Sequence, residues 1–96
     1  MGEIYRPAPI DTVDVELEPD LLELRELLAE NVHELWSRQR LQEGWRYGKS
    51  RDEKAKEHPC LVPYSELTEA EKVYDRQSAL ETLKTIIKLG FKISKQ

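Results

Sequence analysis

The sequence has little of what would mark a membrane-spanning, disulfide-held or metal-binding chain. No apolar run approaches the roughly 18–20 residues that a bilayer span needs, so no membrane association is expected. Cys60 is the sole cysteine, which excludes an internal disulfide and makes a reducing cytoplasm the simplest home. With only His33 and His58 beside it, the paired ligand spacing of a zinc site is missing, and no metal is expected. There is no phosphate-cradling glycine loop, no dinucleotide-type glycine motif and no His-Glu-x-x-His, so no cofactor is expected. The opening residues lack the apolar core of a secretory signal. Arg6 stands where a myristoylation signal has Ser or Thr.

Charge of one sign is also scarce overall. The net charge is −4, which argues against a general nucleic-acid binder. Its distribution says more. Met1 to Leu35 holds ten acids against two bases, a net −8. Trp36 to His58 holds seven bases against four acids, a net +3, and Pro59 to Gln96 six against five, a net +1. A basic middle beside an acidic first helix suits an anionic ligand or an acidic partner, although solvated faces explain most charge runs.

What remains is an ordinary composition for a small folded unit. The chain has 96 residues, 39% hydrophobic and 35% charged, which reads as one domain over 1–96. At this size only roughly 60–65% of the unfolded surface is buried, so the core is modest and dimerisation would help it.

The prolines between Tyr5 and Ile10 force an extended lead-in. Val13, Val15 and Leu17 alternate with acids like a half-buried strand. Pro19 suits the first position of a helix, with Asp20 in its first turn and Gly44 as C-cap; the helix is expected over about 20–43. Leu21, Leu24, Leu28, Val32 and Leu35 make its expected buried stripe. From Trp45 to Tyr64 neither helical nor strand period appears. This long loop, 45–64, is rich in anchoring aromatics and is expected to be structured. Thr68 with Glu71 reads as a capping box for a short helix, about 68–75. Ser78 with Glu81 reads as a second, opening a helix over about 78–89 with Gly90 behind it. Phe91 and Ile93 alternate with polar residues and predict a terminal β pairing with Val13–Leu17. The expected fold is mainly α: two antiparallel main helices, a shorter one between them and a structured loop.

No constellation carries catalysis. His58 and Cys60 share one side of an extended segment, but no orienting residue or oxyanion hole accompanies them, and a small buried thiol is the commoner state. The chain is not expected to be an enzyme. The carboxylates of Glu23, Glu26, Glu30 and Glu34 read as a solvated helix face. Recognition is a better fit. Trp45, Arg46 and Tyr47, with Arg51 nearby, offer flat faces and positive charge to a planar anion such as a nucleotide. The same aromatics could equally pin the loop over the helices. Asn31 and Arg38 fall at the margin of the expected stripe, where Asn31 could cap loop backbone and Arg38, beside Trp36 and Trp45, could grip a carboxylate or phosphate.

Several irregular motifs occur in order: Leu28 to Trp36, with Asn31 and His33 inside it; Gly44-Trp45-Arg46-Tyr47-Gly48; Arg51-Asp52; His58-Pro59-Cys60-Leu61-Val62; and Glu81 to Gly90. Together they closely resemble the repeat domain of ryanodine receptors, the RyR domain, in its single-copy bacterial or phage form. The resemblance runs from about Tyr5 to Ile93. It implies a non-catalytic helical module. In animal calcium-release channels such repeats form tandem pairs on the cytoplasmic shell, packed with pseudo-twofold symmetry, and are associated with subunit contacts, regulatory phosphorylation and nucleotide-like ligands near the Gly-Trp aromatic. In bacterial and phage proteins the implied role is sensing nucleotide derivatives. Asp52 and His58 join the candidate ligand residues through these motifs. One repeat stands here, so a homodimer or a protein partner is expected to restore the pair. Arg51-Asp52-Glu53 departs from the usual Arg-Asp-Asp, and Tyr74-Asp75-Arg76-Gln77 from Tyr-Asn-Leu-Gln; both bear on ligand identity.

Overall fold

A computed structural model describes residues 4–96. Two long helices carry the architecture: α1, Pro19–Gln42, and α2, Glu69–Lys88. They pack antiparallel, with Glu26 of α1 against Arg76 of α2 and Leu21 near Ile87. α1 begins at Pro19, whose fixed φ suits the first helical turn, where its missing N–H costs nothing. It ends at Gly44, with φ +94. The Trp45 N–H reaches back to the Arg40 carbonyl at 2.9 Å, and the Gly44 N–H to that of Leu41 at 3.1 Å. This is a Schellman stop, in which glycine tolerates the left-handed backbone. α2 ends the same way, the Phe91 and Gly90 N–H groups bonding the Ile86 and Ile87 carbonyls at 3.2 and 3.0 Å.

Mainly helical character and both main helices stand as expected, but three details differ. First, the short helix and the last helix are one. Thr68 and Glu71 form the capping box, while Ser78 lies inside α2, its carbonyl accepting from Thr82 Oγ1 at 2.8 Å. No Gly or Pro interrupts Tyr74–Gln77. Continuing a helix through one serine costs a few tenths of a kcal/mol, far less than nucleating a second helix.

Second, neither 13–17 nor 91–93 is a strand. The lead-in instead lies along α2. Thr12 is buried and donates to Glu81 at 2.7 Å, and Lys88 Nζ holds Asp14 at 3.0 Å. The only strand pairing among the described residues is within the loop. β1 (Arg46–Tyr47) runs parallel to β2 (Glu57–His58). Parallel neighbours usually need a long crossover. Here an inner turn folds the chain back, with Asp52 bridging antiparallel to Glu57.

Third, the buried face of α1 is turned from the expected stripe. Leu21 is buried and Leu28 half-buried, but Leu24, Val32 and Leu35 are exposed. The residues that bury are Ala29 and His33. Ala29 is fully enclosed against Tyr64 and Leu67, with Cys60 and Val62 packed beside them. A small side chain lets the loop backbone approach closely; a leucine there would hold it off. A 3₁₀ turn at Tyr64–Glu66 then leads into α2.

Candidate functional site

The loop covers the C-terminal half of α1 and builds a row of five rings. Trp45 lies 6.3 Å from His58, His58 meets Trp36 edge-on at 5.0 Å, Trp36 stacks on His33 at 5.6 Å, and His33 lies 6.1 Å from Tyr64. Cations cap both ends. The Arg40 guanidinium sits 5.2 Å from the Trp45 ring and 6.0 Å from Trp36, and Lys72 Nζ sits 5.3 Å from Tyr64. Each such contact contributes on the order of 0.5–2 kcal/mol, depending on desolvation.

Three polar atoms of the row are bonded within the chain, the third being the Tyr64 hydroxyl, which donates to Glu26 at 3.4 Å. His33 is buried, and its Nε2–H donates to the Val62 carbonyl at 2.7 Å. The His58 Nδ1 accepts from the Cys60 N–H at 3.1 Å. Partial burial, then the nearby Arg51 and Arg40 guanidiniums, hold the His58 pKa below the ordinary imidazole value. The ring is therefore neutral at physiological pH. Cys60 Sγ donates to Glu71 at 3.0 Å, and burial followed by that carboxylate pushes the thiol up to about 11. A thiol held protonated is a poor nucleophile.

Of the residues singled out in the sequence, three meet: Trp36, Trp45 and His58. Trp45 is 6% exposed, and Arg40 already covers part of its face, so it is a packing residue first. Arg46 is exposed, but its guanidinium bonds the Trp45 carbonyl at 2.7 Å. Tyr47 is 57% exposed and offers a free face. Arg51 pairs with Glu53 at 2.8 Å on the surface. Asp52 builds the inner turn, its carboxylate accepting from the Lys54 and Ala55 N–H groups, both at 3.0 Å. Asn31 and Arg38 do not join the cluster. Both are exposed, and at ~100° per residue they lie on the side of α1 opposite Ala29 and Arg40. Sequence reasoning missed Arg40. Its spacing from Trp36, one helical turn, was the available signal.

The loop is held to the helix end by Lys56. Its backbone is left-handed, φ 56, which is uncommon without glycine. Its carbonyl accepts from the Arg46 N–H at 2.8 Å, and its ammonium donates to the Glu43 carbonyl at 2.9 Å. A cation bonded to the last carbonyls also complements the helix dipole. Further along, Arg76 bridges Glu26 of α1 and Glu69, the latter at 2.8 Å, tying the two helices. Among the described residues no group of three His, Cys, Asp or Glu side chains is arranged to hold a metal ion. Among the same residues no helix is long and apolar enough to cross a membrane.

A concavity lies at the other end of the molecule. It is an open groove of about 880 Å³ between the start of α1, the end of α2 and the C-terminal tail, its apolar lining supplied by Leu21, Leu24, Leu27, Ile87, Phe91 and Ile93. The ring row and the groove are thus separate features.

The RyR domain model matches residues 5–95, nearly the whole chain. The protein belongs to the RyR domain family.

Proposed function

We propose that this chain is a non-catalytic, cytoplasmic interaction module that acts by self-association or by docking on a protein partner. The observation that carries this reading is the groove: Leu27 and Phe91 are 65% and 68% exposed among the apolar side chains that line it. Exposed apolar surface gathered in a concavity marks contact sites more often than scattered surface leucines do. The protonated, acid-bonded Cys60 thiol supports a role without chemistry. Sedimentation velocity over a concentration series tests the self-associating form. A mass approaching two chains at high concentration is the expected outcome, and a single-chain mass throughout is evidence against it.

A second reading is favoured by one specific arrangement. Arg40 and Arg51 both lie near enough to depress the His58 pKa, and Tyr47 presents an open ring on the adjoining strand. A nucleotide-derived anion could stack on Tyr47 and meet those guanidiniums. Titration with adenine nucleotides and ADP-ribose at millimolar concentration, followed by Trp fluorescence, tests it. Binding should appear in the native chain and vanish in Tyr47→Ala/Arg51→Ala, whose sites are exposed. An unchanged signal in the native chain removes this reading.

A further inference from the structure

The groove is asymmetric in charge across its width. Glu16, Glu18, Asp20 and Glu23 stand along the side formed by the lead-in and α1. Lys92 and Lys95 stand along the side formed by the tail. The excess on each side extends beyond the groove. The first 35 residues are strongly acidic, whereas residues 84–96 hold four lysines and no acid. The same groove is lined by the exposed side chains of Leu24, Leu27 and Phe91.

A groove with acids on one side and bases on the other is complementary to itself. Turning a second copy by half a turn about an axis along the groove places its acidic side over the first copy's lysines, and its lysines over the first copy's acids. Both charge contacts form at once, and the apolar linings meet as well. Such a contact is isologous and closed, so it ends at two chains. A basic amphipathic helix from another protein would satisfy only the acidic side and would face Lys92 and Lys95 with like charge.

We infer that the groove is the contact surface between two copies of this chain, related by a two-fold axis running along it. The inference rests on the self-association proposed above and specifies its surface and register.

Paired charge reversals test it on the full-length chain. Glu16→Lys/Glu18→Lys/Glu23→Lys leaves Asp20 as the one acid on its side and so makes both sides of the groove net basic, and Lys92→Glu/Lys95→Glu makes both sides acidic. All five positions are exposed, and circular dichroism checks that each variant remains helical. Each variant alone should self-associate about tenfold or more weakly than the native chain, because like charges then meet at both contacts. Mixing the two variants should restore a two-chain complex, since opposite charges meet at both contacts again. That pattern supports the inference. Native self-association that neither variant changes would overturn the groove assignment while leaving self-association standing. A native chain that stays single at about 1 mM, above the usual range for specific association, would overturn both. So would a single chain that takes up a lysine-rich amphipathic peptide in the groove, since the occupant would then be foreign.

Discussion

At its C-terminal end α1 is covered by a loop whose rings, hydrogen bonds and cations are mostly engaged with one another. At its N-terminal end the same helix borders a groove where Leu27 and Phe91 stand about two-thirds exposed. The covered end places Trp45, His33 and Tyr64 in a continuous packed row, with His33 bonded to Val62 and His58 to Cys60. The open end holds its lead-in by a few polar bonds, Thr12 to Glu81 and Lys88 to Asp14. Interactions satisfied within the chain contribute to folding; apolar surface left open is available to something else. A small domain with a modest core divides the two tasks along one helix.

The largest effect that would sharpen this contrast is at Trp45. Replacing it with Ala should destabilise the fold by about 3–5 kcal/mol, as removal of a buried aromatic does. Leu27→Ala, at the open end, should cost under about 1 kcal/mol. Urea denaturation of both variants measures the difference, and equal losses would erase the distinction between the two ends.

A smaller effect is expected at the glycines. A Cβ on Gly48 would stand 2.5 Å from Glu57 Cβ, across the pairing of the two short strands. Gly48→Ala should therefore cost about 1–3 kcal/mol, because backbone or strand must shift. At Gly90, at the open end, an added Cβ would meet nothing within 4 Å, but φ is +98. Gly90→Ala should cost nearer 1 kcal/mol, from backbone strain alone. Melting temperatures that rank the two in reverse would show the strand pairing to be loose.

The smallest effect concerns pH. Burial and the neighbouring guanidiniums lower the His58 pKa in the folded chain, so the unfolded chain binds its proton more readily. The stability this contributes is complete above the unfolded value, about 6.5, and is lost as pH falls through it toward the folded value. Asp75 acts with the opposite sign, because burial raises its pKa; it favours the fold as pH falls through the carboxylate range. Thermal melts from neutral to mildly acidic pH should show a decline that His58→Gln flattens. A decline of the same slope in that variant would assign it to other groups.

Where strong local signals existed, the fold was legible in the sequence. Pro19 and Gly44 bracket α1 because a fixed φ and a left-handed stop are local demands, independent of packing. The loop's anchoring role followed from its aromatics. The buried face of α1 was not legible, since counting leucines overlooks Ala29 and His33. These bury because of what lies opposite them, namely Tyr64, Leu67 and the Val62 carbonyl. The same phase error brought Asn31 and Arg38 toward the candidate site and left out Arg40. Ser78 resembled a cap because its pattern with Glu81 matches one, and only the uninterrupted run of α2 shows that it is not.

The inner turn of the loop carries one more consequence. Arg46 is already joined to Lys56, and Asp52 to Glu57, so the twenty-residue loop is divided into shorter closed rings. Lengthening the chain at the exposed tip, between Glu53 and Ala55, gives up the Asp52 carboxylate's bonds to the Lys54 and Ala55 N–H groups. It keeps the backbone bonds that close the rings, and the added length costs only a slowly growing entropy. The tip is therefore where a tag or reporter peptide could be spliced in with the ring row and the groove both left intact.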